Sequence, residues 1–171
     1  MTLGGIVLAA GEGARFGGPK QLAPLDGRPL LEHAVRALTE ACDRVVVVLG
    51  ARAEEIRAGV DLHGAESVVC GDWAAGPFAS LRRGLDALGD EHDAVVVALG
   101  DQPSLSRERI EAVLALDVPI ARAGDGGAPS HPVVIRRGAD LDHDALRHAP
   151  RVELGPLADV DTQEQLAALR L

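Results

Sequence analysis

The residues best suited to binding a ligand lie in a glycine-rich stretch near the start of the chain, GEGARFGGPK from Gly11 to Lys20. Its glycines allow positive φ angles and close approach of the backbone to a ligand. Arg15 and Lys20 add cationic donors that suit phosphate oxygens. A purely structural turn would not need both features, so the stretch predicts a phosphate-binding turn.

The chain around this turn alternates apolar runs with helical patterns. Apolar runs predict buried strands at Ile6–Ala10, Arg44–Leu49, Glu66–Cys70 and Asp93–Leu99. Helical spacing predicts helices at Leu30–Leu38, Ala53–Ala58, Phe78–Leu88, Ser106–Leu116 and Thr162–Leu171, with Ser106 and Thr162 as N-caps. This alternation indicates an α/β fold of three layers, in which a mainly parallel sheet carries helices on both faces. No repeat or linker interrupts the pattern, which predicts a single domain over residues 1–171.

The last third of the sequence is less regular. Short extended stretches are predicted at Val118–Ala121 and Pro132–Arg136, and the loop between them, Gly124–His131, has a composition that suits mobility. Edge strands are predicted at Val152–Leu154 and Leu157–Val160.

Composition and charge exclude several classes of protein. The net charge of −9 argues against a sequence-independent nucleic-acid surface, because such a surface needs clustered Lys and Arg. No apolar run approaches the ~18 residues of a membrane span, and the N-terminus lacks a signal-peptide pattern. Cys42 and Cys70 lack metal or redox spacing and are expected to be buried, reduced thiols. These features predict a cytoplasmic protein that binds neither nucleic acid nor membrane.

Spacing discriminates among the known phosphate-binding turns. The P-loop pattern fails because glutamine, Gln21, follows the lysine where serine or threonine is required. Gly11 and Gly13 have the GxG spacing of a dinucleotide turn, but the third glycine, Gly17, comes one residue late. The second predicted strand is also not followed by the acidic residue that binds a ribose hydroxyl. An NAD(P)-dependent oxidoreductase is therefore an alternative function rather than the main prediction.

The run LAAGEGARFGGPKQL, from Leu8 to Leu22, resembles the LAAGxGxR…K signature of nucleotidyltransferases. Further stretches resemble the MobA-like NTP transferases that act on molybdenum cofactor: DWAAGPFASLRRGL from Asp72, GDQP from Gly100, HPVV from His131 and DVDTQEQLAAL from Asp159. They occur in the family's order and span nearly the whole chain. The LAAG and GDQP sequences are more similar to the cytidylyl members than to the guanylyl members.

This resemblance implies transfer of a nucleotide, CMP in the most similar branch, from a nucleoside triphosphate to a molybdopterin-type phosphate monoester. A phosphate oxygen of the acceptor would attack the α-phosphorus and pyrophosphate would leave, with Mg²⁺ and cations neutralising the phosphate charge. Arg15 and Lys20 would hold the β- and γ-phosphates, and Asp101, directly after a predicted strand, would be a catalytic metal ligand. A molybdoenzyme or its chaperone would be a protein partner.

The resemblance also implies further contacts. The nucleotide would contact Leu8, Ala9, Ala10, Gly11, Gly13, Lys20, Ser80 and Gln102. Gln102 has a second interpretation as a turn residue beside a proline. Asp159 and Asp161 would point to one face of an extended DVD segment and complete a metal site with Asp101, or else would belong to an N-cap arrangement ahead of Thr162.

The acceptor half of the predicted site is less defined. His131 is a candidate acceptor contact or a structural residue that closes a glycine-rich loop. The family's LxGDxGAR-like segment is missing, and GADLDHDALRHAPRVEL, from Gly138 to Leu154, replaces it. The family's acceptor contacts therefore cannot be carried over to this chain. A sugar-phosphate or other phosphate nucleotidyltransferase and a non-catalytic nucleotide-binding module are further alternatives.

Overall fold

The computed structural model describes residues 1–170, which form nine strands and six α-helices. The strands are β1 Leu3–Ala9, β2 Pro24–Leu25, β3 Arg28–Pro29, β4 Arg44–Leu49, β5 Glu66–Val69, β6 Ala94–Leu99, β7 Ile120–Asp125, β8 Ala128–Arg136 and β9 Arg151–Glu153. The helices are α1 Leu30–Thr39, α2 Ala53–Gly59, α3 Pro77–Leu88, α4 Arg107–Leu114, α5 His143–His148 and α6 Gln163–Leu169.

Seven strands form one central sheet in the order β5-β4-β1-β6-β8-β7-β9, and β2 and β3 form a separate two-stranded ribbon. Strands β5, β4, β1 and β6 are parallel, whereas β8 runs antiparallel to both β6 and β7. In β1, Leu8 lies opposite Val48 of β4 and Leu99 of β6. The three central strands therefore end in register, and the segments that follow them meet at one edge of the sheet.

The helices cover both faces of the sheet and produce the predicted three layers. Alternating side chains of the central strands point to opposite faces, so Val7 belongs to the hydrophobic cluster that includes residues of α1, α2 and α4, whereas Ile6 belongs to the cluster that includes residues of α3. Both side chains are fully buried, as expected for strands with a hydrophobic layer on each side. The predicted α/β fold with a mainly parallel sheet is confirmed.

Several local predictions are wrong. The predicted loop Gly124–His131 is instead the end of β7 and the start of β8, joined by a tight turn whose residues Gly126 and Gly127 both have positive φ. Two consecutive glycines favour such a hairpin turn, and this signal outweighs the polar composition. The segment Leu157–Val160 forms no strand, and α5 was not predicted. Leu171, at the end of the predicted terminal helix, lies outside the described residues.

The predicted helix caps are confirmed. The Ser106 side chain accepts a hydrogen bond from the Arg109 amide at the start of α4, and Thr162 and Gln165 form a reciprocal capping box at α6. Cys42 and Cys70 are both free, with Cys70 buried and Cys42 only partly so. In the described part of the chain, every helix is too short or too polar to cross a bilayer.

Close packing of α3 on the sheet depends on Gly84. A Cβ atom added there would lie 2.8 Å from Ile6 Cγ2 and 3.0 Å from Val48 Cγ2. We expect Gly84→Val to lower the free energy of unfolding by about 1–3 kcal/mol, because a branched side chain would push α3 off the sheet. Urea unfolding followed by circular dichroism measures this change.

The matched control is Asp86→Val, which introduces the same side chain at an exposed position of the same helix. We expect this variant to change the free energy of unfolding by no more than about 0.5 kcal/mol. Equal stabilities of the two variants would contradict the close packing of α3 at Gly84.

Candidate active site

A cleft of about 250 Å³ opens at the carboxyl ends of β1 and β6, where ligands bind in open α/β sheets. Its lining includes seven of the residues singled out in the sequence, namely Leu8, Ala9, Ala10, Gly11, Lys20, Ser80 and Asp101. Gly100 allows the backbone after β6 to pack closely against Leu31 and Ala9, since a Cβ atom there would lie 2.8 Å from Leu31 Cδ1 and 3.0 Å from Ala9 Cβ. The fold thus gathers residues from three distant parts of the chain around one cleft.

The Lys20 ammonium group links the glycine-rich turn to two aspartates. Its Nζ atom donates to Asp101 Oδ2 at 2.7 Å and to Asp161 Oδ1 at 2.9 Å. The Lys20 and Asp101 side chains are only 15% and 19% exposed, so water screens this ion pair weakly. The cluster therefore places a cation and a carboxylate, both partly buried, at the wall of the cleft.

The segment before α6 completes this cluster. Asp161 also contacts the Arg15 guanidinium at 3.1 Å, and the Val160 amide donates to the Asp101 carbonyl at 3.0 Å. Arg15 is 76% exposed, so this outer contact adds little stability on its own. Together these contacts hold the segment against the glycine-rich turn and the end of β6.

The pKa values in the cluster follow from its contacts. Burial alone would lower the pKa of Lys20, but hydrogen bonds with Asp101 and Asp161 outweigh it and raise the pKa. The Lys20 hydrogen bond lowers the pKa of Asp161. Burial raises the pKa of Asp159, although a hydrogen bond from Gln102 opposes this shift. Lys20 is thus held protonated and Asp161 ionised, whereas Asp159 accepts a proton more readily than an exposed aspartate does.

Asp159 and Asp161 do not converge on a common partner. Asp161 contacts Lys20, whereas Asp159 Oδ1 accepts a hydrogen bond of 2.5 Å from Gln102 Nε2. Gln102 is buried. Gln102, Gly13 and Arg15 all lie outside the lining of the cleft. Neither aspartate caps α6, because Thr162 and Gln165 form that cap. Within residues 1–170, no group of three or more His, Cys, Asp and Glu side chains is arranged to hold a metal ion.

Sequence reasoning missed two residues of the cleft. Gln21 is 3% exposed, and its Nε2 atom donates to the Ala9 carbonyl at 3.0 Å and to the Gly11 carbonyl at 3.1 Å, which fixes the backbone at the end of β1. Trp73 also lines the cleft, from the segment between β5 and α3. The position of Trp73, the chain's single tryptophan, in a glycine-containing segment after a predicted strand was an available signal.

A second cavity of about 230 Å³ adjoins the cleft and shares Leu8 and Pro77 with it. Its lining includes His131, the candidate acceptor contact, together with Arg122 of β7. Burial, with a smaller contribution from the charge of Arg122, lowers the pKa of His131 to about 4. The imidazole is therefore uncharged at neutral pH.

Comparison with known proteins agrees with this geometry. The MobA-like NTP transferase domain matches residues 5–155 of the chain. A nicotine blue oxidoreductase from Paenarthrobacter nicotinovorans is 40% identical over 145 residues, which cover 82% of this chain and 70% of that protein. A molybdenum cofactor guanylyltransferase from Rhodobacter capsulatus is 32% identical over 185 residues, covering 98% of this chain and 94% of that protein.

The fold is also found in solved structures. The manganese complex of Rv0371c from Mycobacterium tuberculosis H37Rv has a TM-score of 0.79 and 26% identity, and the match covers 99% of this chain and 98% of that chain. Bifunctional GlmU proteins match too, but the chain spans only 28% of one from a Sulfurovum species and 36% of one from Caulobacter vibrioides. The sequence match, the cleft and the sheet topology together lead to one conclusion: the chain belongs to the MobA-like NTP transferase family.

Proposed function

We propose that this protein transfers CMP from CTP to a phosphate-bearing acceptor of the molybdopterin type and releases pyrophosphate. The observation that carries the proposal is the pairing of Lys20 with Asp101 at the wall of a cleft whose other lining residues are mainly small or apolar. The relative from Rhodobacter capsulatus is a molybdenum cofactor guanylyltransferase, which supports the acceptor class. A molybdoenzyme or its chaperone would then receive the product.

The cleft has separate places for the charged and uncharged parts of a nucleotide. Ala9 and Ala10 leave room for a base, and the buried Ser80 hydroxyl is a hydrogen-bonding group on the same cleft. Lys20 offers the cation that a triphosphate requires. In the free protein that cation is neutralised by Asp101 and Asp161, so a bound triphosphate would exchange for at least one of these carboxylates.

The proposal includes a divalent cation, with Asp101 as its first protein ligand. Asp101 Oδ1 is buried and has no hydrogen-bond partner, which leaves one carboxylate oxygen for a hard metal ion. Mg²⁺ is commonly bound by one or two carboxylates together with substrate phosphates, so Asp101 would hold it, with Asp159 or Asp161 as a second ligand. Bound there, it would neutralise phosphate charge during transfer. Rv0371c was crystallised as a complex with manganese, which supports a metal site in this family.

The proposed reaction is a substitution at the α-phosphorus. A bond forms between the acceptor phosphate oxygen and the α-phosphorus, while the bond to the bridging α–β oxygen breaks and its electron pair leaves with pyrophosphate. Lys20 and Arg15 would stabilise the charge that develops on this leaving group. The backbone from Gly11 to Gly13 would hold the remaining phosphate oxygens. Catalysis is thus assigned to positioning and to charge neutralisation.

A second candidate function is reduction of a ring compound by NADH or NADPH. It is favoured by the 40% identity to a protein named nicotine blue oxidoreductase. Two adjoining cavities that share a wall of Leu8 and Pro77 suit either pair of substrates, a nucleotide with an acceptor or a reduced nicotinamide with a ring compound. The two functions differ in their products and are separated by one set of assays.

The deciding experiment is a screen of CTP, GTP, ATP and UTP against molybdopterin and sugar phosphates, with Mg²⁺ and detection of pyrophosphate. We expect release with CTP and molybdopterin, and a kcat at least about a hundredfold lower in Asp101→Asn, because a carboxylate ligand of the proposed Mg²⁺, and with it charge neutralisation at the phosphates, is lost. Asp86→Asn, at an exposed position of α3, is the control and should retain wild-type turnover. Thermal unfolding of each variant checks that it is folded.

Parallel assays with NADH and NADPH and a quinone-type dye test the second candidate. Hydride transfer to the dye, with no pyrophosphate released from any triphosphate, would replace the proposed function by the second one. Full turnover in Asp101→Asn would contradict the role assigned to Asp101.

Lys20 is the chain's only lysine, so acylation by an amine-reactive ester reports on this side chain directly. Because its contacts raise the pKa of Lys20, we expect slow acylation, and several-fold faster acylation in Asp161→Asn, where one of these contacts is lost. In the wild type, saturating CTP with Mg²⁺ should slow the acylation of Lys20 further, because the bound triphosphate would contact its ammonium group. Peptide mass spectrometry measures the rate, with the Met1 α-amino group as internal reference.

Cytidine is the matched control ligand because it has the base and ribose of CTP but no phosphates. It should leave the acylation rate of Lys20 unchanged. Equal rates with CTP and with cytidine would show that Lys20 does not contact the triphosphate.

A further inference from the structure

Both oxygens of the Asp161 carboxylate contact the two cations that the proposed function assigns to the β- and γ-phosphates. Oδ1 accepts a hydrogen bond of 2.9 Å from Lys20 Nζ, and Oδ2 lies 3.1 Å from Arg15 Nη2. Carboxylate and phosphate oxygens accept charge-assisted hydrogen bonds from the same cationic donors. The Asp161 carboxylate therefore bridges Arg15 and Lys20 in the way that is proposed for two phosphate groups.

The backbone on both sides of Asp161 is held in place. The Asp161 amide donates at 2.7 Å to the Gln165 side chain, which also caps α6. Val160 is fully buried in a hydrophobic cluster that contains Phe16 of the glycine-rich turn, and the Val160 amide donates to the Asp101 carbonyl at 3.0 Å. The Asp161 side chain itself is 29% exposed. It can therefore leave the cations by rotating, while the segment before α6 keeps its position.

Charge balance makes Asp161 the carboxylate that an incoming anion displaces. Arg15 and Lys20 carry two positive charges, and Asp101 and Asp161 carry two negative charges, so the cluster has no net charge that attracts an anion. Asp101 is the less exposed of the two carboxylates and still pairs with Lys20 when Asp161 has left. Displacement of Asp161 releases Arg15 entirely and Lys20 in part.

An internal anion at this position affects ligands selectively. A ligand binds only to the fraction of molecules whose cations are free, so its apparent dissociation constant rises as that fraction falls. The penalty applies to ligands that must contact both cations, namely a triphosphate and pyrophosphate. A nucleoside without phosphates does not incur it. The same carboxylate is available to return to the cations when pyrophosphate dissociates.

We propose that Asp161 is an internal competitor of pyrophosphate. In the free protein its carboxylate occupies the position of the leaving group, it rotates away when a polyphosphate binds, and it returns as pyrophosphate leaves. The carriers of this proposal are the two contacts of the carboxylate and the fixed backbone around it. It rests on the proposed function only in placing pyrophosphate on Arg15 and Lys20.

The test is calorimetric titration of inorganic pyrophosphate into the full chain in a buffer with EDTA, so that metal coordination cannot contribute. We expect Asp161→Asn to bind pyrophosphate roughly three- to thirtyfold more tightly than the wild type, because the competing charge is lost. The asparagine oxygen still accepts a hydrogen bond from Lys20. Asp161→Ala removes that oxygen too and should bind at least as tightly as Asp161→Asn.

Glu164→Gln is the matched control, because it removes one negative charge from an exposed position in the first turn of α6, outside the contacts of Arg15 and Lys20. Its affinity for pyrophosphate should stay within about twofold of the wild type. Thermal unfolding checks that each variant is folded. The proposal is overturned if no variant binds pyrophosphate, or if the Asp161 variants bind it no more tightly than Glu164→Gln does.

Hydrogen–deuterium exchange tests the rotation. Because the backbone keeps its position, saturating pyrophosphate should not accelerate exchange in the peptide that contains Val160 and Asp161. Faster exchange on binding would show that the segment opens, and would overturn a movement confined to the side chain.

These measurements separate the proposal from the proposed function. Tighter pyrophosphate binding by Asp161→Asn, without pyrophosphate release from any triphosphate, would retain the competitor and reject nucleotide transfer. Nucleotide transfer by the wild type, with equal pyrophosphate affinities of Asp161→Asn and Glu164→Gln, would do the reverse.

Discussion

One interaction joins three parts of the chain that are far apart in sequence, namely the contact of Lys20 with Asp101 and Asp161. Lys20 belongs to the turn after β1, Asp101 follows β6, and Asp161 precedes α6. A partly buried ammonium group without carboxylates would be unfavourable, as would the carboxylates without it. Because each of these charges stabilises the other, the contact holds the segment before α6 at the carboxyl edge of the sheet.

The parallel register of the central strands makes this contact possible. Because Leu8 lies level with Leu99, the residues that follow β1 and β6 leave the sheet at the same height. The Gln21 side chain then donates to the carbonyls of Ala9, at the end of β1, and Gly11, in the turn. It therefore fixes the backbone beside the cleft where the strand ends. The apolar core sets the positions of the strands, and the strands in turn set the positions of the polar groups at the cleft. None of these polar groups belongs to the core.

The central part of the fold was predictable from sequence because buried parallel strands read as continuous apolar runs, and Arg44–Leu49 has the predicted bounds. Asp101 lines the cleft because it closely follows the end of β6, whereas Lys20 belongs to the turn after β1 and Ser80 lies on α3. The partners of Asp159 and Asp161 could not be predicted, since they depend on how an irregular segment crosses the sheet. Helix α5 is six residues long and polar, and nothing in its periodicity distinguished it from a loop.

The antiparallel strand β8 has a consequence for how this family can diversify. Its pairing with β6 ends at Val133, opposite Val97, so the first part of β8, which includes His131, pairs with β7 alone or is unpaired near the carboxyl edge of the sheet. The cleft stands on the parallel strands, whereas the second cavity is lined in part by this hairpin and by α5. A change in hairpin length or in α5 would therefore remodel the second cavity while the core that supports the cleft stayed intact.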